Sequence, residues 1–260
     1  MLRGDRVSKP VHEFETYLHS MELLRGEGWV GDAYPFNLSA VRGWDRLFFH
    51  PKVTYFVGEN GSGKSTLIEA IAVALGFNAE GGSRNFNFAT HASHSSLHNQ
   101  LRLARSPRRR RDGYFLRAES FFNVATEIHR LDEEPDGPPI INSYGGRSLH
   151  AMSHGQSFMA LLENRFGGDG LYILDEPEAA LSPNRQMGFL ARMHELIGQR
   201  SQFIIATHSP IILAYPDATI YELSDNGLSE TAYEDLEHVQ VTKNFLNRRE
   251  IFLEALLGDD

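Results

Sequence analysis

Residues 58–66 read Gly-Glu-Asn-Gly-Ser-Gly-Lys-Ser-Thr, which matches the phosphate-binding pattern G-x-x-x-x-G-K-[ST]. The run before it, residues 53–57, is apolar, β-branched and aromatic, and it predicts a buried parallel strand. The run after it, residues 67–75, is rich in helix formers and predicts a helix. Average glycine usage gives a chance match odds on the order of one per cent before this context is counted, so the stretch predicts a nucleotide-binding loop.

The residue types of this loop suit phosphate. Glycine backbones can aim successive N–H groups at phosphate oxygens, and the start of the next helix adds unpaired N–H donors and the positive end of its dipole. Lys64 supplies a mobile charge for the β- and γ-phosphates, and Ser65 supplies a hydroxyl for Mg²⁺. The predicted nucleotide-binding residues of the loop are Gly58, Asn60, Gly61, Ser62, Gly63, Lys64, Ser65 and Thr66.

The composition is that of a globular protein of 260 residues with a formal net charge of -9 and no cysteine. This length allows one large domain, or a domain with a sub-lobe, around a substantial core. No apolar run approaches the ~20 residues that span a bilayer, and residues 1–7 lack the apolar core of a signal peptide. The absence of cysteine excludes disulfides and thiolate metal sites. We therefore expect a cytoplasmic protein without a membrane span, and its negative charge argues against indiscriminate nucleic-acid binding.

Two later strands end in polar residues that suit phosphate chemistry. Residues 171–174 are apolar and predict a second buried strand, which Asp175 and Glu176 follow at once. Open α/β sheets bind ligands at the carboxyl ends of their strands, so Asp175 is suited to Mg²⁺ and Glu176 to orienting and deprotonating an attacking water. Residues 202–206 predict a third buried strand, and His208 after it could donate to a γ-phosphate. The predicted catalytic residues are Lys64, Glu176 and His208.

Residues 153–156 read Ser-His-Gly-Gln and lead into an apolar stretch, residues 158–166, that predicts a helix. A hydroxyl, a flexible glycine and a helix N-terminus together make a second anion-binding device. A sequence of this kind taken alone is most often a helix cap.

Six arginines lie between Arg102 and Arg111. Their guanidinium groups could grip the phosphate backbone of a nucleic acid, or they could belong to a solvated, partly disordered loop around Pro107, which is slightly favoured. No aromatic residues alternate with the arginines, which weakens a stacking mode of single-strand binding. Nucleic acid therefore stays one candidate partner.

Two weaker patterns have both a functional and a structural interpretation. His91, His94 and His98 have a helical spacing that could place three metal ligands on one face, although a solvated polar surface is favoured. Phe36, Trp44 or Phe49 could stack on adenine, although core aromatics of a sheet are favoured. The alternation of residues 35–41 predicts a strand of that sheet.

The order and spacing of four motifs resemble those of the ABC-type ATPases. These motifs are the phosphate loop, the Ser-x-Gly-Gln motif, the strand ending in Asp-Glu and the strand followed by Thr-His. The resemblance covers residues 36 to about 232. It implies an α/β fold with a RecA-like P-loop NTPase core, an ABC-type antiparallel β addition and a small inserted helical lobe. It implies one domain made of a core (residues 35–117 and 168–232), a helical signature lobe (118–167), an N-terminal extension (1–34) and a C-terminal helical tail (233–260).

The resemblance also implies roles for the second set of motifs. Ser153, Gly155 and Gln156 look like the signature motif, which in the family caps the γ-phosphate held by a second protomer. Residues 180–182 resemble the D-loop, and His208 resembles the switch histidine. An active site of this kind is completed when two protomers enclose ATP head to tail.

The chain departs from the family pattern at two positions. His154 stands where the signature motif usually has glycine. Glu119 is the best match to the position that usually supplies the Q-loop glutamine, where its carboxylate could join the metal shell. The metal ligands implied are therefore Ser65, Asp175 and Glu119.

Taken together, these features predict an ATP-binding, Mg²⁺-dependent ATPase that closes as a homodimer around ATP. Within the class the chain resembles small stand-alone bacterial ATPases, and it is closer to the RecF-like and overcoming-lysogenization ATPases than to transporter cassettes. A role in DNA maintenance or phage defence is therefore expected. The alternatives are the nucleotide-binding subunit of an ABC transporter and an ATP-regulated module that assembles with another protein.

Overall fold

The computed structural model describes residues 16–26, 29, 31, 33–83, 95–119, 121–133, 139–146 and 148–258. The strands are β1 (Leu18–Leu23), β2 (Arg46–Phe48), β3 (Val53–Gly58), β4 (Leu101–Arg105), β5 (Asp112–Arg117), β6 (Gly170–Asp175), β7 (Gln202–Ala206), β8 (Thr219–Ser224) and β9 (Gly227–Glu230). The helices are α1 (Lys64–Ala74), α2 (Phe121–Glu133), α3 (His154–Asn164), α4 (Pro183–Gly198), α5 (Pro210–Leu213), α6 (Glu237–Asn247) and α7 (Arg249–Leu257).

The main sheet has the strand order β5-β6-β7-β3-β8-β9, and β9 alone runs antiparallel to its neighbour within it. Its register aligns the strand ends, since Phe56 of β3 and Asp175 of β6 both pair with Ala206 of β7. The carboxyl ends of three predicted strands therefore meet at one edge of the sheet. The phosphate loop, the Asp-Glu pair and the segment with His208 all follow at this edge.

Two apolar clusters cover the two faces of the main sheet. The side-chain alternation of β3 places Tyr55 and Val57 in one cluster and Phe56 in the other. The first cluster takes in residues of α2 to α6, and the second takes in α1 and a smaller sheet. The apolar residues of α2 and α3 share their cluster with those of α4, so the predicted helical lobe packs directly on the main core.

The smaller sheet is antiparallel, with the order β2-β1-β4. Its central strand, β1, lies in the region that was predicted to be an N-terminal extension, so this part of the extension belongs to the core. The buried side chain of Gln202 joins the two sheets: its Oε1 accepts from the N–H groups of Tyr17 and Leu18, and its Nε2 donates to the carbonyls of Leu18 and His50, each at 2.9 or 3.0 Å. The predicted α/β class, a parallel core with an antiparallel addition, is confirmed.

The strand predicted for residues 35–41 is wrong. Ser39–Val41 form a single 3-10 turn, and β2 pairs with β1 instead. The N–H of Ala40 donates to the carbonyl of Ser62 at 3.1 Å, so this segment buttresses the phosphate loop and does not extend a sheet. The favoured interpretation of the nearby aromatic residues as core is consistent with their burial: the exposed fractions of Phe36, Trp44 and Phe49 are 7%, 6% and 4%.

The chain ends in the hairpin β8–β9 and a tail of two helices that meet at Arg248. The tail is attached through Leu236 and Val239, which are buried in the first cluster. Among the described residues, no helix is both long enough and apolar enough to cross a membrane.

Candidate active site

The phosphate loop leaves β3 through glycines that the packing requires. A Cβ at Gly58 would lie 2.5 Å from the carbonyl oxygen of Leu223, so the loop can pass the end of β8 only without a side chain there. Gly63, at the start of α1, has a φ of +94°, which L-residues rarely adopt, and Ala40 packs against it. The sequence therefore folds this loop tightly around the N-terminus of α1, where unpaired backbone N–H groups attract anions.

Lys64 folds back across the loop. Its Nζ donates to the carbonyls of Gly58 and Glu59 at 2.8 and 2.9 Å, and the residue is 4% exposed. Burial lowers its pKa, while the carboxylates of Glu176 and Asp175 act in the opposite direction. The ammonium group thus lies at the mouth of the loop, within reach of a phosphate that would replace these carbonyls.

Ser65 and Asp175 are brought into direct contact by the fold. The Ser65 hydroxyl donates to Oδ1 of Asp175 at 3.1 Å. Burial raises the pKa of Asp175 to about 7, although the nearby guanidinium of Arg117 and the Ser65 hydroxyl lower it. A hydroxyl and a carboxylate side by side are hard oxygen ligands of the kind that Mg²⁺ prefers, so these two residues fit a magnesium ion.

Glu176 and His208 face each other at the end of the sheet. Glu176 has a φ of +50°, an uncommon conformation for a residue other than glycine, and its N–H donates to the Ala206 carbonyl at 2.9 Å. Its Oε1 lies 3.7 Å from Nε2 of His208, and both side chains are about one-third exposed. Burial and the charge of Lys64 lower the pKa of His208. A carboxylate and a partly buried imidazole are therefore held beside the phosphate loop.

Glu178 fixes the segment that carries His208. Its carboxylate accepts from the hydroxyl of Thr207 at 2.7 Å and from the N–H of His208. Burial raises the pKa of Glu178, while these hydrogen bonds lower it. Sequence analysis assigned no role to this residue, although its place between the Asp-Glu pair and the predicted D-loop was a usable signal.

Glu119 does not reach Asp175 directly. Its side chain is 89% exposed, and its Oε2 lies 3.9 Å from Nη2 of Arg117. Arg117 stands between them: it donates to Glu69 at 2.7 Å, and its Nε lies 3.8 Å from Oδ2 of Asp175. Sequence analysis missed Arg117, although it ends β5 in register with Asp175, and the argument used for the other strand ends applies to it as well.

The signature residues begin α3. Ser153 is its N-cap, and Ser153 and Gln156 form a capping box in which the Gln156 N–H donates to the serine hydroxyl and the Gln156 Oε1 accepts from the serine N–H. A Cβ at Gly155 would lie 2.6 Å from the carbonyl of Ala180 and would overlap Arg185. The motif is therefore packed on the predicted D-loop of its own chain, while Ser153 and His154 stay exposed.

Comparison with known proteins supports an ATPase fold. An AAA domain family matches residues 37–136, and a second AAA domain family, whose description names the AbiEii toxin and type IV toxin–antitoxin systems, matches residues 120–214. A search of curated proteins finds no match. Among solved structures, CbiO1 of Clostridium perfringens is similar at a TM-score of 0.51 and 16% identity, over 90% of this chain and 97% of that one. The SMC head domain of Thermotoga maritima is similar at a TM-score of 0.44 and 19% identity, over 83% and 98%.

The chain has the fold of a P-loop ATPase, and the two AAA domain families together match residues 37–214. ATP hydrolysis is the activity that this fold and these family matches support.

Two clefts of the ATPase flank the phosphate loop. The smaller, about 310 Å³, lies over Lys64, Ser65 and Thr66 and is bordered by Tyr34 and Glu176. The larger, about 610 Å³, lies on the other side of the loop, against the end of β8, His208 and α6. The predicted residues of the phosphate loop, together with Glu176 and His208, thus line two adjoining spaces at one sheet edge.

The arginine run of the ATPase is divided between several surfaces. Arg102 and Arg105 lie on β4, so a partly disordered loop does not describe them; Arg102 lies 3.4 Å from Glu22, and Arg105 donates to the Ala74 carbonyl at 2.7 Å. Arg110 packs over the ring of Phe77. The remaining members, joined by one arginine from outside the run, surround Asp169 and form what we call the arginine surface: Arg108, Arg109, Arg111 and Arg200.

Only one of the three histidines of the predicted metal site, His98, is among the residues that the structure describes. His91 and His94 lie outside the described residues, and Nδ1 of His98 is hydrogen-bonded to the Ser95 carbonyl at 2.9 Å. No group of three or more His, Asp or Glu side chains placed to hold a metal occurs in the described ranges.

Proposed function

We propose that this ATPase is a switch that closes as a head-to-tail homodimer around ATP and opens after hydrolysis. The proposal rests on one observation: the predicted site residues lie in two separate places in the folded chain. Lys64, Asp175, Glu176 and His208 meet at the sheet edge, whereas Ser153 caps a helix that packs on α4 and is exposed to solvent. A second protomer would supply the missing side of the first protomer's site, so ATP would contribute contacts that only the closed state makes.

The residues at the sheet edge take the following roles in this proposal. Lys64 exchanges its two carbonyl partners for β- and γ-phosphate oxygens, and Ser65 and Asp175 would hold Mg²⁺, which supplies charge neutralisation of the phosphates. Glu176 orients a water and accepts its proton as the water attacks. His208 donates a hydrogen bond to the γ-phosphate, and Glu178 holds it in place.

The test is the variant Glu176→Gln, which keeps the shape of the side chain and removes the base. We expect hydrolysis to fall by about 10²-fold or more while ATP binding persists. Light scattering at micromolar protein should then show a dimer with ATP and a monomer with ADP. A variant that stays monomeric with saturating ATP would contradict the homodimer, and one that hydrolyses ATP normally would contradict the role of Glu176.

A second observation favours nucleic acid as the partner of the switch. In the arginine surface three guanidinium groups pair with the carboxylate of Asp169 and Arg109 lines the same cavity, so the surface is locally positive on an acidic protein. Arg111 and Arg200 have exposed side-chain fractions of 84% and 67%. Such a surface could contact a phosphate backbone, as a cytoplasmic protein of DNA maintenance or phage defence would require. The toxin–antitoxin description of one matching family supports defence more than transport.

This second candidate is tested by the ATPase rate with and without duplex DNA, at about 50 mM and about 200 mM salt. Stimulation that fades with salt and is lost in the double variant Arg111→Glu, Arg200→Glu would support it. Arg46→Glu, an exposed arginine of β2, is the matched control and should keep the stimulation. A rate indifferent to DNA would leave the ATPase intact and would favour a protein partner or a transporter subunit.

A further inference from the structure

The larger cleft beside the phosphate loop is lined by three residues that each have a buried polar atom without a hydrogen-bond partner; one of these atoms, Nε2 of His208, lies 3.7 Å from Oε1 of Glu176, which is beyond hydrogen-bond distance. Oγ of Ser62, Nε2 of His208 and Nε2 of His238 are each buried, and none has a hydrogen-bond partner in the part of the chain that the structure describes. Buried polar groups are almost always hydrogen-bonded, so three unpaired ones around a single space indicate a ligand. Ser62 and His208 already belong to the predicted nucleotide site, whereas His238 comes from the C-terminal tail.

The position of His238 is fixed because its neighbours in the C-terminal tail are buried in the core. It lies in the first turn of α6, between Leu236 and Val239, which are 0% and 4% exposed. The charged group that acts on it is Glu222, whose carboxylate also accepts from the hydroxyl of Thr231 at 3.1 Å. The fold therefore presents the imidazole to the cleft before any ligand arrives.

The other charged side chains of the cleft lie at its rim. Glu59, Asp225 and Glu237 are exposed, so water screens their carboxylates from a phosphate group bound deeper inside. The deeper polar groups are the two imidazoles, the serine hydroxyl and the half-buried carboxylate of Glu222, one oxygen of which already accepts from Thr231. An imidazole that carries its proton on Nε2 can donate to a phosphate oxygen, as can a hydroxyl.

We propose that His238 is a nucleotide-contacting residue that donates to the terminal phosphate of a nucleoside triphosphate, together with His208 and Ser62. The nucleotide would approach from Lys64 and the phosphate loop, and its last phosphate would reach the larger cleft. A nucleoside diphosphate lacks this group and would leave His238 unpaired. The tail helix α6 would thus be fastened to the active site only while the triphosphate is bound. The proposal rests on nucleotide binding at the phosphate loop and does not require the homodimer.

The first test compares the binding of a non-hydrolysable ATP analogue with the binding of ADP, using the full chain at concentrations where it is monomeric. His238→Ala should weaken the analogue roughly tenfold and change ADP less than about twofold, because one hydrogen bond to a charged group is lost. His238→Gln should recover part of this loss through its amide. Thr242→Ala, an exposed α6 residue outside the cleft, is the control and should bind as the unaltered protein does.

Each alternative result is decisive. Unchanged affinity for the analogue in His238→Ala would overturn the contact, and an equal loss for ADP would show a structural role instead. Lys64→Ala should abolish binding of both nucleotides; if it does not, the predicted nucleotide site itself fails, and that failure is distinct from a failure at His238.

The second test follows the tail directly by amide hydrogen exchange. In the unaltered chain, exchange across α6 should slow with the ATP analogue and not with ADP. The difference should disappear in His238→Ala, although that protein still binds the analogue at higher concentration. Exchange that is the same with both nucleotides would show that the tail does not respond to the terminal phosphate.

Discussion

The absence of a side chain at Gly155 lets the signature motif pack against the predicted D-loop. We expect Gly155→Ala to lower the free energy of unfolding by about 1–3 kcal/mol, because the new Cβ would overlap the Ala180 carbonyl, and backbone cannot rotate away as a side chain can. Gly188→Ala, in α4, is the matched control: its Cβ would meet only Met159 at 3.7 Å and should be neutral or stabilising. Urea denaturation measures both, and equal stabilities would contradict the packing described.

Asp175 gives the nucleotide-free protein a pH dependence whose sign can be worked out. Burial raises its pKa to about 7, so the folded chain keeps a proton that the unfolded chain releases near pH ~4. Stability should therefore fall as the pH rises between these values. We expect Asp175→Asn to be more stable than the unaltered protein at about pH 8, by up to about 4 kcal/mol, and no more stable at about pH 4. Urea denaturation with a chelator present measures this, and a pH-independent difference would contradict it.

Among individual site residues, sequence patterns could predict those whose role follows from a short local motif. Lys64 and Ser65 lie in one loop, and Asp175 follows a recognisable buried strand, so the chain itself carries their spacing. His238 carries no such local signal, and Arg117 carries only its position at the end of a strand. Their place beside the site comes from strand register and from the docking of a tail helix, which depend on residues far away in the chain.

Among the elements, α3 begins at Ser153, which is its N-cap and also the residue proposed to contact a partner's γ-phosphate. Ser153→Asp should keep the helix, because aspartate is also a good N-cap, whereas Ser153→Ala should lose about 1 kcal/mol of stability. The carboxylate would repel a partner's γ-phosphate, so Ser153→Asp, when combined with Glu176→Gln, should fail to dimerise with ATP. Thermal unfolding and light scattering measure the two effects. A stable Ser153→Asp protein that still dimerises would contradict the partner contact.

The elements that sequence predicted well are those with strong local patterns. The buried strands β3, β6 and β7 and the helix α1 formed as expected, because their apolar runs and bounding turns lie within single short stretches. Residues 35–41 did not form a strand, because the contact of Ala40 with the phosphate loop outweighs local alternation. The strands β1 and β4 pair with each other across some eighty residues, a distance over which periodicity carries no information.

For the molecule as a whole, Gln202 is the most buried of the hydrogen-bonded connections between the two sheets, which also meet through Tyr221 and Phe48 and through the second apolar cluster. Gln202→Ala should cost about 3 kcal/mol or more, since it leaves buried backbone groups of Tyr17, Leu18 and His50 without partners. Gln240→Ala, at an exposed position of α6, should change stability by less than about 0.5 kcal/mol. Urea denaturation compares them. A loss of below about 1 kcal/mol for Gln202→Ala would show that the sheets hold together without this side chain.

The same connection has a consequence for the newborn chain. Leu18 is separated from Gln202 by 184 residues, and β4, the later of the two neighbours of β1, lies about eighty residues downstream of it. At the usual pace of synthesis, about 5–20 residues per second, β1 would leave the ribosome roughly ten seconds or more before Gln202 exists. The edge of β1 that pairs with β4 stays uncovered until about eighty more residues have been made, and the hydrogen bonds to Gln202 form later still. We expect this first strand to be where chaperones hold the chain, and where it aggregates when they are scarce.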